Sequence, residues 1–219
     1  MRSLVIGASG GIGAALVEVL ALRGEVVGLS RREDGLDVTD EGSVARVMQG
    51  VSGQFDLVFV ATGALEIGGA RPEKALRAIT ADAMAAQFAL NAIGPALVVK
   101  HAIRLLPKDR EARIGVLSAR VGSIGDNALG GWYSYRAAKA AVNQIIHTAS
   151  IEVARSHPLA VLACLHPGTV ETELTLGYTT GHPRRTPQEA ARNLLRVLDE
   201  VTPAQSGCFV DWQGLPIPW

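Results

Sequence analysis

Runs of apolar residues with no polar alternation recur along this chain and alternate with helical segments. Leu4-Val5-Ile6, Glu25–Leu29, Phe55–Val60, Arg113–Leu117, Leu159–Leu165 and Cys208–Val210 read as strands. Between them, helices are expected over Ala14–Leu22, from Thr39-Asp40 to Met48, from about Thr80 to Leu106, over Ser134–Arg155 and over Pro187–Leu198. Strands that are apolar on both faces must be covered on both faces, and helical connections make neighbouring strands parallel. The expected fold class is therefore α/β, a doubly wound parallel sheet in three layers. No linker, repeat or low-complexity tract interrupts it, so 1–219 is read as a single domain.

Composition narrows the function classes. Hydrophobic residues make up 48% and charged residues 19%, which excludes wholesale disorder. Lys plus Arg and Asp plus Glu number 21 each, so no broad basic field is available for nucleic acid. Cys164 and Cys208 are too few for a disulfide scaffold, and neither sits in a set with metal-ligand spacing, so no metal is expected. The longest uncharged stretch, Ala83 to Val99, contains Gln87, Asn91 and Pro95 and reads as too short and too polar to span a bilayer. The N-terminal apolar stretch is broken by glycines and charged by Glu18. A cytoplasmic location with no membrane partner is expected.

The chemistry begins at the first turn. Gly7-Ala8-Ser9-Gly10-Gly11-Ile12-Gly13 joins the first strand to the first helix with the spacing G-x-x-x-G-x-G. Glycines let the backbone close on a ligand, and the helix N-terminus offers free N–H groups to a pyrophosphate. An empty tight turn is the plainer reading, but the β-turn-α context favours a Rossmann-type dinucleotide site. The second strand ends Gly28-Leu29-Ser30-Arg31-Arg32, with no acid before Glu33. Arg31, helped by Ser30 or Arg32, is the candidate for a 2′-phosphate, which favours NADP over NAD. Tyr135 and Lys139 stand four residues apart near a helix start, on one face. An ammonium there would favour a phenolate, whose free pKa is near 10.

Taken in order, these motifs make the chain resemble the short-chain dehydrogenase/reductase family nearly end to end. Gly7, Gly11 and Gly13 match its glycine turn, and Leu36-Asp37-Val38-Thr39 its D-V-T segment. Ala61-Thr62-Gly63-Ala64 is similar to its N-A-G-A stretch, and Asn91 to its helix asparagine. Tyr135 and Lys139 match Y-x-x-x-K, and Pro167-Gly168-Thr169-Val170-Glu171-Thr172 matches P-G-x-x-x-T. Gly122-Ser123-Ile124 and Gly130 to Arg136 look most like carbonyl-reductase-like and C-factor-like members.

The resemblance implies a carbonyl/alcohol oxidoreductase using NADP. Tyr135 would exchange a proton with the substrate oxygen, Lys139 would hold the nicotinamide ribose and lower the tyrosine pKa, and Asn91 would hold a relay water. The implied cofactor cradle is Gly7, Ser9, Gly10, Gly11, Ile12, Gly13, Ser30, Arg31, Arg32, Asp37 at the adenine, Val38, Ala61, Thr62, Gly63 and Lys139. Pro167, Gly168, Val170 and Thr172 complete it at the nicotinamide end. One departure stands out: the family's catalytic serine falls on Ala119. Ser118 or Ser123 could replace it, and strand alternation favours Ser123. Ala119 also keeps open a second reading, a dinucleotide-binding sensor or signalling protein with little turnover. A short substrate loop is expected at about 173–186, with Trp132, Leu174, Leu176 and Tyr178 as an apolar wall. His166 is a candidate to line the pocket. The resemblance further implies a homodimer or homotetramer, and the tail from Asp211 to Trp219 is expected to pack near the pocket or a subunit contact.

Overall fold

The computed structural model describes residues 1–172, 178 and 184–219. All six expected strands form, as β1 (Arg2–Ile6), β2 (Glu25–Leu29), β3 (Leu57–Val60), β4 (Ala112–Leu117), β5 (Ala160–His166) and β6 (Cys208–Asp211). They make one parallel sheet in the order β2-β1-β3-β4-β5-β6, a Rossmann-type arrangement. The helices are α1 (Gly11–Ala21), α2 (Arg31–Asp34), α3 (Glu41–Gly50), α4 (Ala81–Phe88), α5 (Gly94–Ala102), α6 (Tyr133–Val153) and α7 (Pro187–Glu200).

Period-two alternation divides each strand between two cores. Leu4, Ile6, Val58, Val60, Ile114, Val116 and Leu162 pack with Met48, Val98, Val142 and Ile146 of α3, α5 and α6. Val5, Leu57, Phe59, Val161, Ala163 and Leu165 face the other way, onto Leu16 and Leu20 of α1 and Leu194, Leu195 and Leu198 of α7. Each fully buried aliphatic of this kind contributes about 1.5–3 kcal/mol. Cys164 belongs to the first core and Cys208 borders the second, so the sheet separates the two free thiols. The chain leaves β1 for β2 on one side and returns to β3 on the other. That change of direction opens a crevice beyond the C-terminal ends of β1 and β3, where ligands of such sheets sit.

Two features depart from the sequence reading. The long helix expected from Thr80 does start on Thr80, whose hydroxyl accepts from Ala83 N at 3.3 Å. It then widens into a π turn at Ala89–Ile93 before α5 resumes and ends in a 3₁₀ turn at Ile103–Leu105. Pro95 has no N–H to give the carbonyl four residues back, which is that of Asn91, so the helical ladder is broken at this point. Ala81–Leu105 is 25 residues long and holds an 18-residue window of mean hydropathy 1.3, so it is long and apolar enough by length and composition to cross a membrane. This corrects the expectation drawn from its uncharged portion alone. In the fold, its Val98, Val99, Ala102 and Leu105 pack against the sheet. The second departure is the four-residue α2 directly after β2, capped by the Ser30 side chain.

The tail packs beside the site-bearing elements. Ile217 N donates to Phe209 O at 2.9 Å, and Gly125 N donates to Trp219 O at 2.7 Å. The Trp219 ring stacks on Phe209 at 6.0 Å and meets His147 of α6 edge-on at 5.3 Å. Ile217 is buried in the first core. Ending the chain after Asp211 removes these contacts. We expect a loss of about 3 kcal/mol, seen as a melting temperature lower by roughly 6–12 °C. A melt within roughly 2 °C of the full chain would contradict this role for the tail.

Candidate active site

A cleft of about 1330 Å³ opens at the C-terminal ends of the strands. Its walls come from the β1–α1 turn, the stretch after β3, the end of β4, the first turns of α6 and the loop after β5. Of the residues singled out in the sequence, Ser9, Gly10, Gly11, Ile12, Ala61, Thr62, Gly63, Ser118, Tyr135, Lys139, Pro167, Gly168, Val170 and Thr172 line it. So do His166, Trp132 and Tyr178. Leu174 and Leu176, with most of the expected substrate loop, lie outside the described residues.

The glycine turn is tight enough to exclude side chains at defined points. Gly7 sits at φ +87, and the amides of Gly7 and Ala8 both donate to Leu29 O, tying β1 to β2. A Cβ on Gly13 would lie 2.0 Å from Gly7 O, and one on Gly11 would lie 2.9 Å from the Thr172 methyl. Gly7 and Gly13 therefore shape the turn without lining the cleft, and Gly11 lets the loop after β5 close against it. No side chain caps α1 at Gly10. Helix geometry leaves the amides of Gly11, Ile12 and Gly13 without intrahelical partners, and the helix dipole points its positive end outward there.

The expected ribose end lies beside the cleft rather than in its lining. Ser30 is buried, and its hydroxyl accepts from Glu33 N at 3.1 Å, so it is engaged as the α2 cap. Its own amide donates to the Asp34 carboxylate at 2.7 Å. The Ser30 hydroxyl, expected to help Arg31 at a 2′-phosphate, is engaged as this cap because the chain turns helical directly after β2. Arg31 and Arg32 are exposed and, among the described residues, form no ion pair. Asp37 Oδ1 accepts from Thr39 N at 2.9 Å and Thr39 Oγ1 at 2.7 Å. Those hydrogen bonds, joined by the charge of Arg31, hold its carboxyl below the usual range. Val38 is buried against Gly94, where a Cβ would come within 2.9 Å of its Cγ2. Val38 thus packs into the first core and does not line the cleft.

The catalytic candidates converge. Tyr135 and Lys139 are both buried on one face of α6, with Lys139 Nζ 5.8 Å from the tyrosine ring centroid. Lys139 is 2% exposed, and its Nζ donates to Leu117 O at 3.0 Å. Two glycines make room for it. A Cβ on Gly122 would lie 2.8 Å from the Lys139 backbone, and one on Gly63 would lie 3.4 Å from Nζ and 2.9 Å from Asn91 Oδ1. Asn91 is fully buried in the π turn, exchanging hydrogen bonds with Ala64 N and O at 3.2 and 2.9 Å. Its Nδ2 also donates to Gln87 Oε1 at 2.7 Å, and Gln87 Nε2 reaches Leu65 O at 2.8 Å. Asn91 stands behind the cleft wall as its support. The i, i+4 spacing of Gln87 and Asn91 was a visible signal for this pairing.

The serine question resolves differently from the expectation. Ala119 lines the cleft. Ser123 does not: it is buried after a 3₁₀ turn, and its Oγ accepts from Asp126 N at 3.0 Å. The turn at Arg120–Gly122 carries the chain away, so the preference for Ser123 is overturned. Ser118 does line the cleft, but its hydroxyl is turned towards α6 and donates to Asn143 Oδ1 at 2.6 Å.

Electrostatics follow burial. Burial pushes the Tyr135 phenol well above its ordinary value. Burial also pushes Lys139 down to about 8. The sequence reading missed Arg120, which spans Asp126 at 3.2 Å and buried Asp211 at 3.0 Å, joining the β4 turn to the tail. Arg120 had no local pattern to mark it.

The short chain dehydrogenase family profile matches residues 34–181. The chain is 32% identical to 1-hydroxy-2-glutathionyl-2-methyl-3-butene dehydrogenase of Rhodococcus sp. (strain AD45), over 99% of this chain and 98% of that protein. It is 36% identical to the C-signal of Myxococcus xanthus over 62% of this chain and 78% of that one. Among solved structures, NADPH-bound carbonyl reductase from chicken fatty liver superposes with a TM-score of 0.81 at 26% identity, covering 100% and 98% of the two chains. The chain belongs to the short-chain dehydrogenase/reductase family of oxidoreductases.

Proposed function

We propose that this chain is an NADP(H)-dependent oxidoreductase that interconverts a carbonyl and an alcohol, with Tyr135 as general acid/base. The observation that carries the reading is the buried Tyr135–Lys139 pair opening on the cleft that ends at the uncapped N-terminus of α1. The residues suit the cofactor. The first-turn amides of α1 would take the pyrophosphate, and Arg31 and Arg32 the 2′-phosphate. Asp37 would meet the adenine, and Pro167, Gly168, Val170 and Thr172 the nicotinamide amide. Thr62 Oγ1 is buried without a hydrogen-bond partner among the described residues, a donor awaiting an acceptor in this wall. The chicken enzyme, of similar fold, holds NADPH.

When bound, NADPH supplies the hydride that forms the new C–H bond. Tyr135, kept protonated at neutral pH by burial, is set to donate its proton to the carbonyl oxygen. Lys139, anchored on Leu117 O, keeps a positive charge beside the phenol as it loses that proton. Asn91, braced by Gln87 and Ala64, fixes the polar floor behind Lys139. Ala119 gives no hydrogen bond to the carbonyl, so this chain lacks one donor that such sites use. That absence, with the likeness to the C-signal, is what supports a second reading beside the first, a dinucleotide-binding sensor or signalling protein with little turnover.

Three measurements test the reading. In an NADPH-oxidation assay over aldehydes, ketones and quinones, Tyr135→Phe should lose about 10²–10⁴-fold in kcat. Ala119→Ser should gain about tenfold or more as the missing donor returns. Tight NADPH binding by wild type with no turnover on any carbonyl would instead support the signalling reading. Arg31→Glu should weaken NADPH binding by about tenfold or more while sparing NADH, and equal affinities in wild type and variant would exclude Arg31 as the 2′-phosphate ligand. Finally, kcat/KM for reduction should be flat at low pH and fall as pH rises through about 8, where Lys139 loses its charge. A flat profile across that point would contradict the role given to Lys139.

A further inference from the structure

Helix α6 carries the tyrosine and lysine but begins without a cap of its own. Gly130, Gly131 and Trp132 are left-handed in succession, at φ +64, +66 and +53. Trp132 is the one non-glycine residue with positive φ among those described, a conformation that costs a side-chain-bearing residue about 1–2 kcal/mol. It occupies the N-cap position without a side-chain cap, and the first turn contains no acid. Something else must hold this entry. From one side, Arg136 donates to Gly131 O at 2.9 Å and to Gly130 O and Val121 O at 3.2 Å.

From the other side the acceptor is Glu73, in the connection between β3 and α4. Its main-chain carbonyl accepts from Trp132 N. One carboxylate oxygen accepts from Ser134 N at 3.2 Å, and the other accepts from the Ser134 hydroxyl. Glu73 is 6% exposed. Burial pushes its carboxyl up, but the hydrogen bonds from Ser134 and from its own backbone N–H together outweigh this and hold it below the usual range. Ser134 immediately precedes Tyr135, and the Trp132 ring meets the Tyr135 ring edge-on with centroids 6.3 Å apart.

We propose that Glu73 is a positioning residue for Tyr135, a cap brought from a distant loop that fixes the first turn of α6 and the Trp132 wall beside the phenol. This rests on the reading of Tyr135 as the general acid/base. The chemistry calls for a carboxylate: it offers two acceptor oxygens and no donor, so it takes the N–H and the O–H of Ser134 together. An amide has one acceptor oxygen for Ser134 N and must instead donate to Ser134 Oγ, which reverses that bond and removes the negative charge. The negative charge also complements the positive end of the α6 dipole.

The test uses Glu73→Ala and Glu73→Gln in the full chain, with thermal melting, hydrogen exchange and steady-state kinetics. Both variants should stay folded and keep a KM for NADPH within about twofold, because the β1–α1 turn is untouched. Exchange should speed up at residues 132–136 and not at 140–150, and kcat should fall by about tenfold or more, as expected for a displaced catalytic group. A folded Glu73→Ala with wild-type kcat would overturn the proposal, as would a Glu73→Gln indistinguishable from wild type. So would a parallel loss of kcat and KM with fast exchange along all of α6. If the Glu73 variants do not fold, Ser134→Ala removes only the hydroxyl bond; its kcat should drop by about twofold or more, and an unchanged kcat would count against the idea. Should wild type itself turn over no carbonyl, the enzyme reading fails, and exchange at 132–136 alone decides whether Glu73 caps the helix.

Discussion

A lysine ammonium buried to 2% exposure is the constraint around which this structure is arranged. Burying a charge is costly unless it is hydrogen-bonded and neighboured by groups that accept its field. Here the acceptor is the Leu117 carbonyl at the end of β4. Reaching it requires the Arg120–Gly122 turn to lie directly on α6, which only a glycine at 122 allows, and the wall after β3 to come close, which a glycine at 63 allows. The same closeness brings Asn91 to Gly63, while the i, i+4 spacing on α6 sets the tyrosine one helical turn from the lysine. Burial then raises the phenol and lowers the ammonium, so the pair holds a proton on oxygen and a charge ready to be neutralised.

Legibility in the sequence followed the range of the interactions. Five strands were readable because burial leaves an unbroken apolar run, whereas the edge strand β2 is only partly buried, and the starts of α3, α4 and α7 were readable because Asp40, Thr80 and Thr186 cap their own helices. The glycine turn and the Tyr135–Lys139 spacing were readable for the same reason: each is a local pattern. The π turn at Ala89–Ile93 could have been inferred from Pro95, since the carbonyl it leaves without a donor belongs to Asn91. Ser118 and Ser123 could not be separated by alternation alone, because the choice depends on where a 3₁₀ turn sends the chain. Glu73 was invisible, since a cap that arrives from some sixty residues away has no signature near the helix it serves.

The departures cluster on one side of the cleft. Ala119 leaves the carbonyl end without a hydroxyl, Ser118 is committed to Asn143, and Arg120 is committed to Asp126 and Asp211. The tail adds Trp219 against α6 and Gly125. This side is therefore rigidly tied to the C-terminal strand, and in the proposed reaction the polarising chemistry would fall on Tyr135 and the lysine behind it. The opposite side, from the β1–α1 turn to the loop after β5, keeps the open amides that an anionic cofactor requires.

The central claim is that Tyr135 and Lys139 act as one unit. The most direct measurement is a double-mutant cycle on the single-turnover rate of NADPH oxidation, comparing Tyr135→Phe, Lys139→Met and the double variant with wild type. Groups that act together lose their effect once, so the double variant should be no slower than the slower single variant. Losses that multiply, with the double variant slower by the product of the two single effects, would contradict the account.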